Sequence, residues 1–130
     1  MIDAGMVDTQ FNVYQNSLTP MVQYYHTHEK APFGDEEINR LLPYAKQTEF
    51  IIKTFRDIVD DLGYDKEKFQ KIIYAFDDDY DMLKSFVEHL NPHIKSHKEL
   101  LDISESILDN LIQAQNDLGL IIAQHENRDV

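Results

Sequence analysis

The chain contains no cysteine, and this absence excludes several kinds of chemistry at once. Disulfides, thiolate nucleophiles and cysteine-ligated zinc or iron–sulfur sites all require that side chain. Apolar runs such as Leu120–Ala123 are far shorter than the roughly 20 residues that cross a bilayer. The N-terminus has no basic segment followed by an apolar stretch, so a secretory signal is not expected. We therefore expect a soluble, cytoplasmic protein.

Basic residues are also scarce, with 12 lysines and arginines against 24 acidic residues and a net charge of −12. Direct binding to nucleic acid or to an anionic membrane needs a basic surface, so neither partner is expected. Such a charge favours a protein partner with a basic surface, including one that itself binds nucleic acid. The alternative is an acidic surface that only keeps the chain in solution.

Glycine and proline number only four each, and no stretch alternates apolar and polar residues for long enough to form a strand. Apolar residues instead recur every three or four positions, which is the period of an amphipathic helix. The pattern predicts an all-α fold, an antiparallel four-helix bundle with kinked first and second helices and a long C-terminal helix. Residues 1–130 are expected to form one domain. The predicted seam of the second helix is Ile38, Leu41, Ala45, Thr48, Ile52, Phe55, Val59 and Leu62.

A few residues set the predicted helix boundaries. Pro20 and Pro43 interrupt the first and second helices, where each ring removes a hydrogen bond and favours a kink. Gly63 is the expected stop of the second helix, and Asp65 is the expected N-cap of the third. The fourth helix is expected to run from Pro92 to about residue 124.

The segment Asp77–Glu88 resembles an EF-hand calcium loop, because acidic residues occupy its positions one, three, five and twelve. Met82 stands at position six, where the loop needs glycine for its sharp turn. Lys84 stands at position eight, where an apolar residue is usual. The helical period also continues through Tyr80 and Leu83. These departures favour a solvated helix face, and no cofactor is expected.

Two other metal-binding hypotheses rest on short patterns. His93 and His97 lie one helical turn apart and could hold zinc or copper, although the alternative is exposed histidines near a helix end. A metal-dependent all-α nucleotide hydrolase would need carboxylates from two helices. Asp57, Asp60 and Asp61 suit that role together with Asp77–Asp81, but a turn near Gly63 leaves Asp60 and Asp77 roughly 15 Å apart along the helix axis. A hydrolase is therefore the least favoured class.

The acidic charge is concentrated in residues 57–88 and 99–130, each with a net charge of −6, and the segment between them carries +2. Carboxylates spaced along one helix face repeat every 4.5–6 Å or so, comparable with phosphates along a nucleic acid strand. We hypothesise a non-enzymatic binding protein, such as an inhibitor, an antitoxin-like protein or a nucleic-acid mimic. The candidate partner-binding residues are Asp77, Asp78, Asp79, Asp81, Glu99, Asp102, Glu105 and Asp109.

Two further features of the surface bear on partners. Tyr24, Tyr44 and Tyr74 are candidates for surface contacts or for edges of the core. The fourth helix also keeps apolar residues near its end, at Leu118 and from Leu120 to Ile122. If this end is uncovered, it favours the alternative function, a structural subunit of an assembly or a homo-oligomer joined through the C-terminal helix.

Overall fold

Every regular element in residues 5–28 and 33–128, the part of the chain that the computed structural model describes, is helical. Side chains are described for residues 7–28 and 33–127. The all-α class is therefore confirmed. The elements are α1 (Gly5–Thr27), α2 (Asp35–Ile58), a 3-10 turn (Val59–Asp61), α3 (Lys66–Glu88) and α4 (Lys95–Arg128).

Of the four predicted helix boundaries one is confirmed and two are wrong, and α4 continues to Arg128, four residues past its predicted end. The Asp65 carboxylate accepts a hydrogen bond from the Lys68 amide at 3.1 Å, which confirms the N-cap of α3. Gly63 does not stop α2, because that helix tightens into a 3-10 turn four residues earlier and no described glycine has a positive φ. The start of α4 at Pro92 was also wrong. Asn91 Oδ1 accepts from the His93 amide at 3.0 Å, and this local turn delays α4 until Lys95.

Both interrupting prolines lie inside helices rather than at their ends. Pro20 belongs to α1 and Pro43 belongs to α2, each of which continues on both sides of its proline. Beside Pro20, the Thr19 hydroxyl donates to the Gln15 carbonyl at 2.8 Å, a bond of the kind that often accompanies a bend. The kinks themselves stay predictions.

The four helices form a ring in which α1 contacts α2, α2 contacts α4, α4 contacts α3, and α3 contacts α1. Near one end of the bundle, the Tyr24 hydroxyl donates to Glu37 at 2.8 Å. Ser17, earlier in α1, lies beside Thr48, later in α2, with their hydroxyl oxygens 2.6 Å apart. Residues later in α1 therefore contact residues earlier in α2.

Contacts between α2 and α4 advance in the same order, so these neighbours run in the same direction. Lys46 pairs with Glu99 at 3.6 Å, and Arg56, later in α2, donates to Asn110, later in α4, at 2.9 Å. Within the described residues, α2 and α3 make no close backbone approach. The helices α2 and α3, which follow each other in the chain, are therefore not neighbours in the ring. The connection 59–65 crosses the end of the bundle instead of folding straight back.

The apolar seams point inward as predicted. All eight residues of the seam predicted for the second helix are buried, and the last two, Val59 and Leu62, lie beyond the end of α2. On α4, Ile107 and Leu111 are fully buried, whereas Asp102 and Asp109 are exposed, as a role in partner binding requires. Such a layer of buried aliphatic and aromatic side chains supplies the main driving force for folding.

The C-terminal part of α4 is largely covered. Leu118 and Ile122 are buried, Ile121 is half-buried, and Leu120 is the only large apolar side chain here that is strongly exposed. The connection between α2 and α3 lies over this region, where the Tyr64 ring stacks on His125 with 3.8 Å between ring centroids. The expected uncovered apolar tip is therefore reduced to Leu120 and its surroundings.

Candidate functional site

The outer face of α3 carries three exposed carboxylates around an exposed aromatic ring. Tyr74 is 71% exposed. Asp77, Asp78 and Asp81 follow it three, four and seven residues later and are all exposed. Residues at these spacings share one face of a helix. The face therefore combines a large side chain able to bury area with a group of negative charges.

Asp79 is the one aspartate of this run that turns away from the outer face. Its carboxylate is half-buried between α1 and α3, where it accepts hydrogen bonds from the Tyr14 hydroxyl at 3.0 Å and the Gln15 amide at 3.3 Å. It also borders a small apolar crevice of about 10 Å³, lined by Leu18, Met21, Val22, Tyr25, Met82, Leu83 and Phe86. Asp79 thus has partners inside the bundle, unlike the other three aspartates.

These surroundings change the acidity of both groups. Burial raises the pKa of Asp79 from 3.8 to about 6, and the charge of Asp78 adds to this, while the bonds from Tyr14 and Gln15 lower it. Burial, followed by the charge of Asp79, raises the pKa of Tyr14 well above 10.0. Around pH 6, about half of the Asp79 carboxyl groups are therefore protonated.

Two of the four acidic residues proposed on α4 form ion pairs within the protein. Glu99 lies 3.6 Å from the Lys46 ammonium group, and Asp102 lies 2.9 Å from that of Lys98. Both pairs are exposed to solvent and are worth little to stability. A basic partner would have to compete with these lysines.

Glu105 and Asp109 continue the same outer face without such competition. Both are exposed, and neither makes an ion pair or side-chain hydrogen bond with another described residue. They lie four residues apart, about 6 Å along the axis. Together with the three outer aspartates of α3, they are the candidate partner-binding residues most available to a partner.

The structure does not assemble the other acidic patterns into a metal site. Asp77–Glu88 lies wholly within α3, so this segment is a helix and not a calcium loop. Asp57, Asp60 and Asp61 end α2 and the 3-10 turn, while α2 and α3 occupy diagonal positions in the ring. Among the described residues, no group of three or more histidine and acidic side chains could hold a metal ion.

His93 and His97 do not form the exposed pair that their spacing suggested. His93 lies in the turn before α4, whereas His97 is only 3% exposed. His97 Nδ1 accepts a hydrogen bond from the Asn91 amide at 3.0 Å, so the neutral ring carries its proton on Nε2. That atom faces Asp35 Oδ1 at 3.4 Å. Nε2 is buried and makes no hydrogen bond to a described residue, so the hydrogen bond from Asn91 is the contact that fixes the His97 ring in the α3–α4 turn.

Sequence reasoning missed a polar bridge between α2 and α4. Arg56 Nε donates to Asp117 Oδ2 at 3.0 Å, and its Nη1 donates to the buried Asn110 at 2.9 Å. Asn110 in turn donates to the Ser106 carbonyl at 2.8 Å. An asparagine on the inner side of an otherwise apolar seam was the available signal.

No helix in the described part of the chain is long and apolar enough to cross a membrane. No protein-family model, no curated protein and no solved structure matches this chain.

Proposed function

We propose that this chain is a non-enzymatic binding protein that docks the acidic outer faces of α3 and α4 onto a basic protein. The observation that carries the proposal is the exposed Tyr74 ring among the exposed carboxylates of Asp77, Asp78 and Asp81. Tyrosine is enriched at the centres of interfaces because it buries a large area with few rotatable bonds. The surrounding charges would steer a basic partner and fix its orientation.

The partner fits the class of proteins that bind nucleic acid. Asp78 and Asp81 are about 4.5 Å apart along α3, and Glu105 and Asp109 about 6 Å along α4. These two neighbouring rows of carboxylates have a spacing similar to that of backbone phosphates. An inhibitor or antitoxin-like protein acting as a nucleic-acid mimic would use such rows to fill a basic cleft.

Matched neutralisation of two acidic groups tests the proposal. Asp77→Asn/Asp78→Asn/Asp81→Asn and Asp57→Asn/Asp60→Asn/Asp61→Asn each remove three exposed charges and leave the same net charge. The first variant should lose at least tenfold in capture of a partner from the native host, whereas the second should retain it. Equal loss from both variants would mean that only total charge matters, and no loss from the first would contradict the proposed surface.

A second comparison tests the aromatic contact. Tyr74→Ser should weaken binding of the captured partner tenfold or more, since residues at interface centres dominate binding energy. Phe50→Ser is the control, because Phe50 is 70% exposed on α2 and lies outside both acidic rows. The two variants should melt alike without the partner. Equal binding by both variants would remove Tyr74 from the surface.

A further inference from the structure

The contact between α1 and α3 holds an ionisable group in its middle. Asp79 is half-buried there and accepts hydrogen bonds from Tyr14 and Gln15, but it forms no ion pair with a described residue. An ion pair between Asp8 and Lys68, at 2.8 Å, also joins the two helices. Lys68 precedes Asp79 by eleven residues, about 16 Å along the axis, which is too far for it to offset the charge of Asp79.

Packing beside Asp79 is incomplete. The apolar crevice that this residue borders has a volume of about 10 Å³, roughly the space that one water molecule needs. Both helices contribute to its wall, with Leu18 and Met21 from α1 and Met82 and Leu83 from α3. Methionine side chains are flexible and fill irregular space, so this wall can rearrange when the helices shift. The α1–α3 contact therefore combines a poorly hydrated charge with room to move.

Contacts with α2 hold α1 in the bundle independently of α3. The hydroxyl oxygens of Ser17 and Thr48 are 2.6 Å apart in a buried position, and the Tyr24 hydroxyl donates to Glu37 at 2.8 Å. These two contacts lie seven residues apart on α1, so they define a line about which the helix can turn. Packed helices make small hinge and sliding motions of this kind without unfolding. Loosening of α1 from α3 is therefore compatible with an intact α1–α2 contact.

We propose that the α1–α3 contact is a gate controlled by the proton on Asp79. When the carboxyl group loses its proton, α1 turns on α2 away from α3, the crevice opens, and water reaches the carboxylate. When the group is protonated, it carries no charge to hydrate, and the apolar walls close. The gate needs no partner, so it stands or falls apart from the proposed function.

The acidity of Asp79 sets the range over which the gate works. Its pKa is about 6 in the closed form, and in a hydrated open form this pKa returns towards its ordinary value of 3.8. The closed form therefore binds more protons than the open form, and the open population grows as pH rises. Between pH 5 and pH 7.5 these two values give an increase of about tenfold.

The other charged and titratable groups around this contact can be told apart from Asp79. Asp78 adds negative charge from α3, and Tyr14 faces Asp79 from α1 with a pKa that burial raises. Tyr25 borders the crevice, and its ring meets that of His89 edge-on with 5.4 Å between centroids. No described residue of α2 or α4 borders the crevice. His89 is therefore the alternative source of a pH response.

Thiol labelling tests the gate, because the chain has no cysteine of its own. Leu83→Cys places a thiol in the wall of the crevice, and Leu111→Cys places one in the core of α4 as the matched control, since both leucines are buried. Dividing each rate by that of the urea-unfolded chain at the same pH removes the titration of the thiol. At pH 7.5, Leu83→Cys should be labelled at least tenfold faster than Leu111→Cys, with a rate that stays constant up to about 1 M urea.

The role of the proton is tested with the same probe. The normalised rate of Leu83→Cys should rise about tenfold from pH 5 to pH 7.5. Asp79→Asn should remove this rise, whereas His89→Gln should keep it. Met21→Cys probes the crevice from α1 and should give the same profile. Labelling that follows global unfolding at every position, a rise that survives Asp79→Asn, or a rise that His89→Gln removes would overturn the proposal.

Discussion

The α1–α3 and α2–α4 contacts each hold a half-buried charged side chain, but they satisfy it differently. In the α1–α3 contact, the described residues that donate hydrogen bonds to the Asp79 carboxylate are the neutral side chains of Tyr14 and Gln15. In the α2–α4 contact, the Arg56 guanidinium group meets the opposite charge of Asp117 as well as the Asn110 amide oxygen.

The difference shows what an opposite charge adds to a hydrogen bond at a helix contact. Two neutral donors do not offset the loss of water around Asp79, and burial raises its pKa to about 6. At Arg56, attraction between unlike charges offsets part of the same cost. The first contact should therefore gain stability when its charge is removed, and the second should lose it.

The largest effect is expected from breaking the α2–α4 bridge. Arg56→Met keeps the unbranched stem but leaves Asn110 and Asp117 without their donor, at a cost of about 2–3 kcal/mol in the free energy of unfolding. Lys53→Met is the control, because the Lys53–Glu49 pair is exposed and should contribute less than about 0.5 kcal/mol. Urea denaturation measures both. Similar losses for the two variants would mean that the Arg56 bridge contributes no more to stability than the exposed Lys53–Glu49 pair.

The next effect has the opposite sign and lies in the α1–α3 contact. The pKa of Asp79 is about 6 in the folded chain, against its ordinary value of 3.8 in the unfolded chain. The folded state therefore binds more protons than the unfolded state between about pH 4 and 6, and the free energy of unfolding falls as pH rises through that window. The penalty reaches at most about 3 kcal/mol above pH 6. Asp79→Asn keeps an acceptor for Tyr14 and should therefore raise stability at pH 7.5 by about 1–2 kcal/mol.

Asp78→Asn is the matched control for that change, since it removes the same charge from the exposed neighbour. The difference in unfolding free energy between the two variants should be clear at pH 7.5 and should vanish below about pH 3, where Asp79 is protonated in both states of the chain. A difference that is absent at pH 7.5, or that grows towards acid pH, would contradict the burial of Asp79.

The smallest effect concerns the donor to Asp79. Tyr14→Phe keeps the ring packed against Phe76, whose centroid lies 5.2 Å away, and removes only the hydroxyl. We expect a loss of about 1 kcal/mol at pH 7.5 and a smaller loss at pH 5, because the bond favours the ionised carboxylate. Carboxyl NMR titration should show the pKa of Asp79 rising further. Tyr74→Phe, which alters an exposed ring, should change neither quantity.

Apolar spacing was enough to predict the inner faces of the helices, because residues three and four apart share a helix face whatever lies opposite. It predicted the seam of the second helix, all eight residues of which are buried. Spacing did not predict which of Asp78 and Asp79 is buried. Both are acidic, and only the position of Tyr14 on a distant part of the chain decides which one is buried.

The sequence by itself determined the helical class, the inward seams and the cap at Asp65, because each depends on residues within a turn or two of one another. Tertiary structure alone decided that α2 lies beside α4, that His97 is buried, and that Arg56 bridges two helices. These features join residues far apart in the chain. Their geometry depends on how whole helices pack, which a local period of 3.6 residues does not encode.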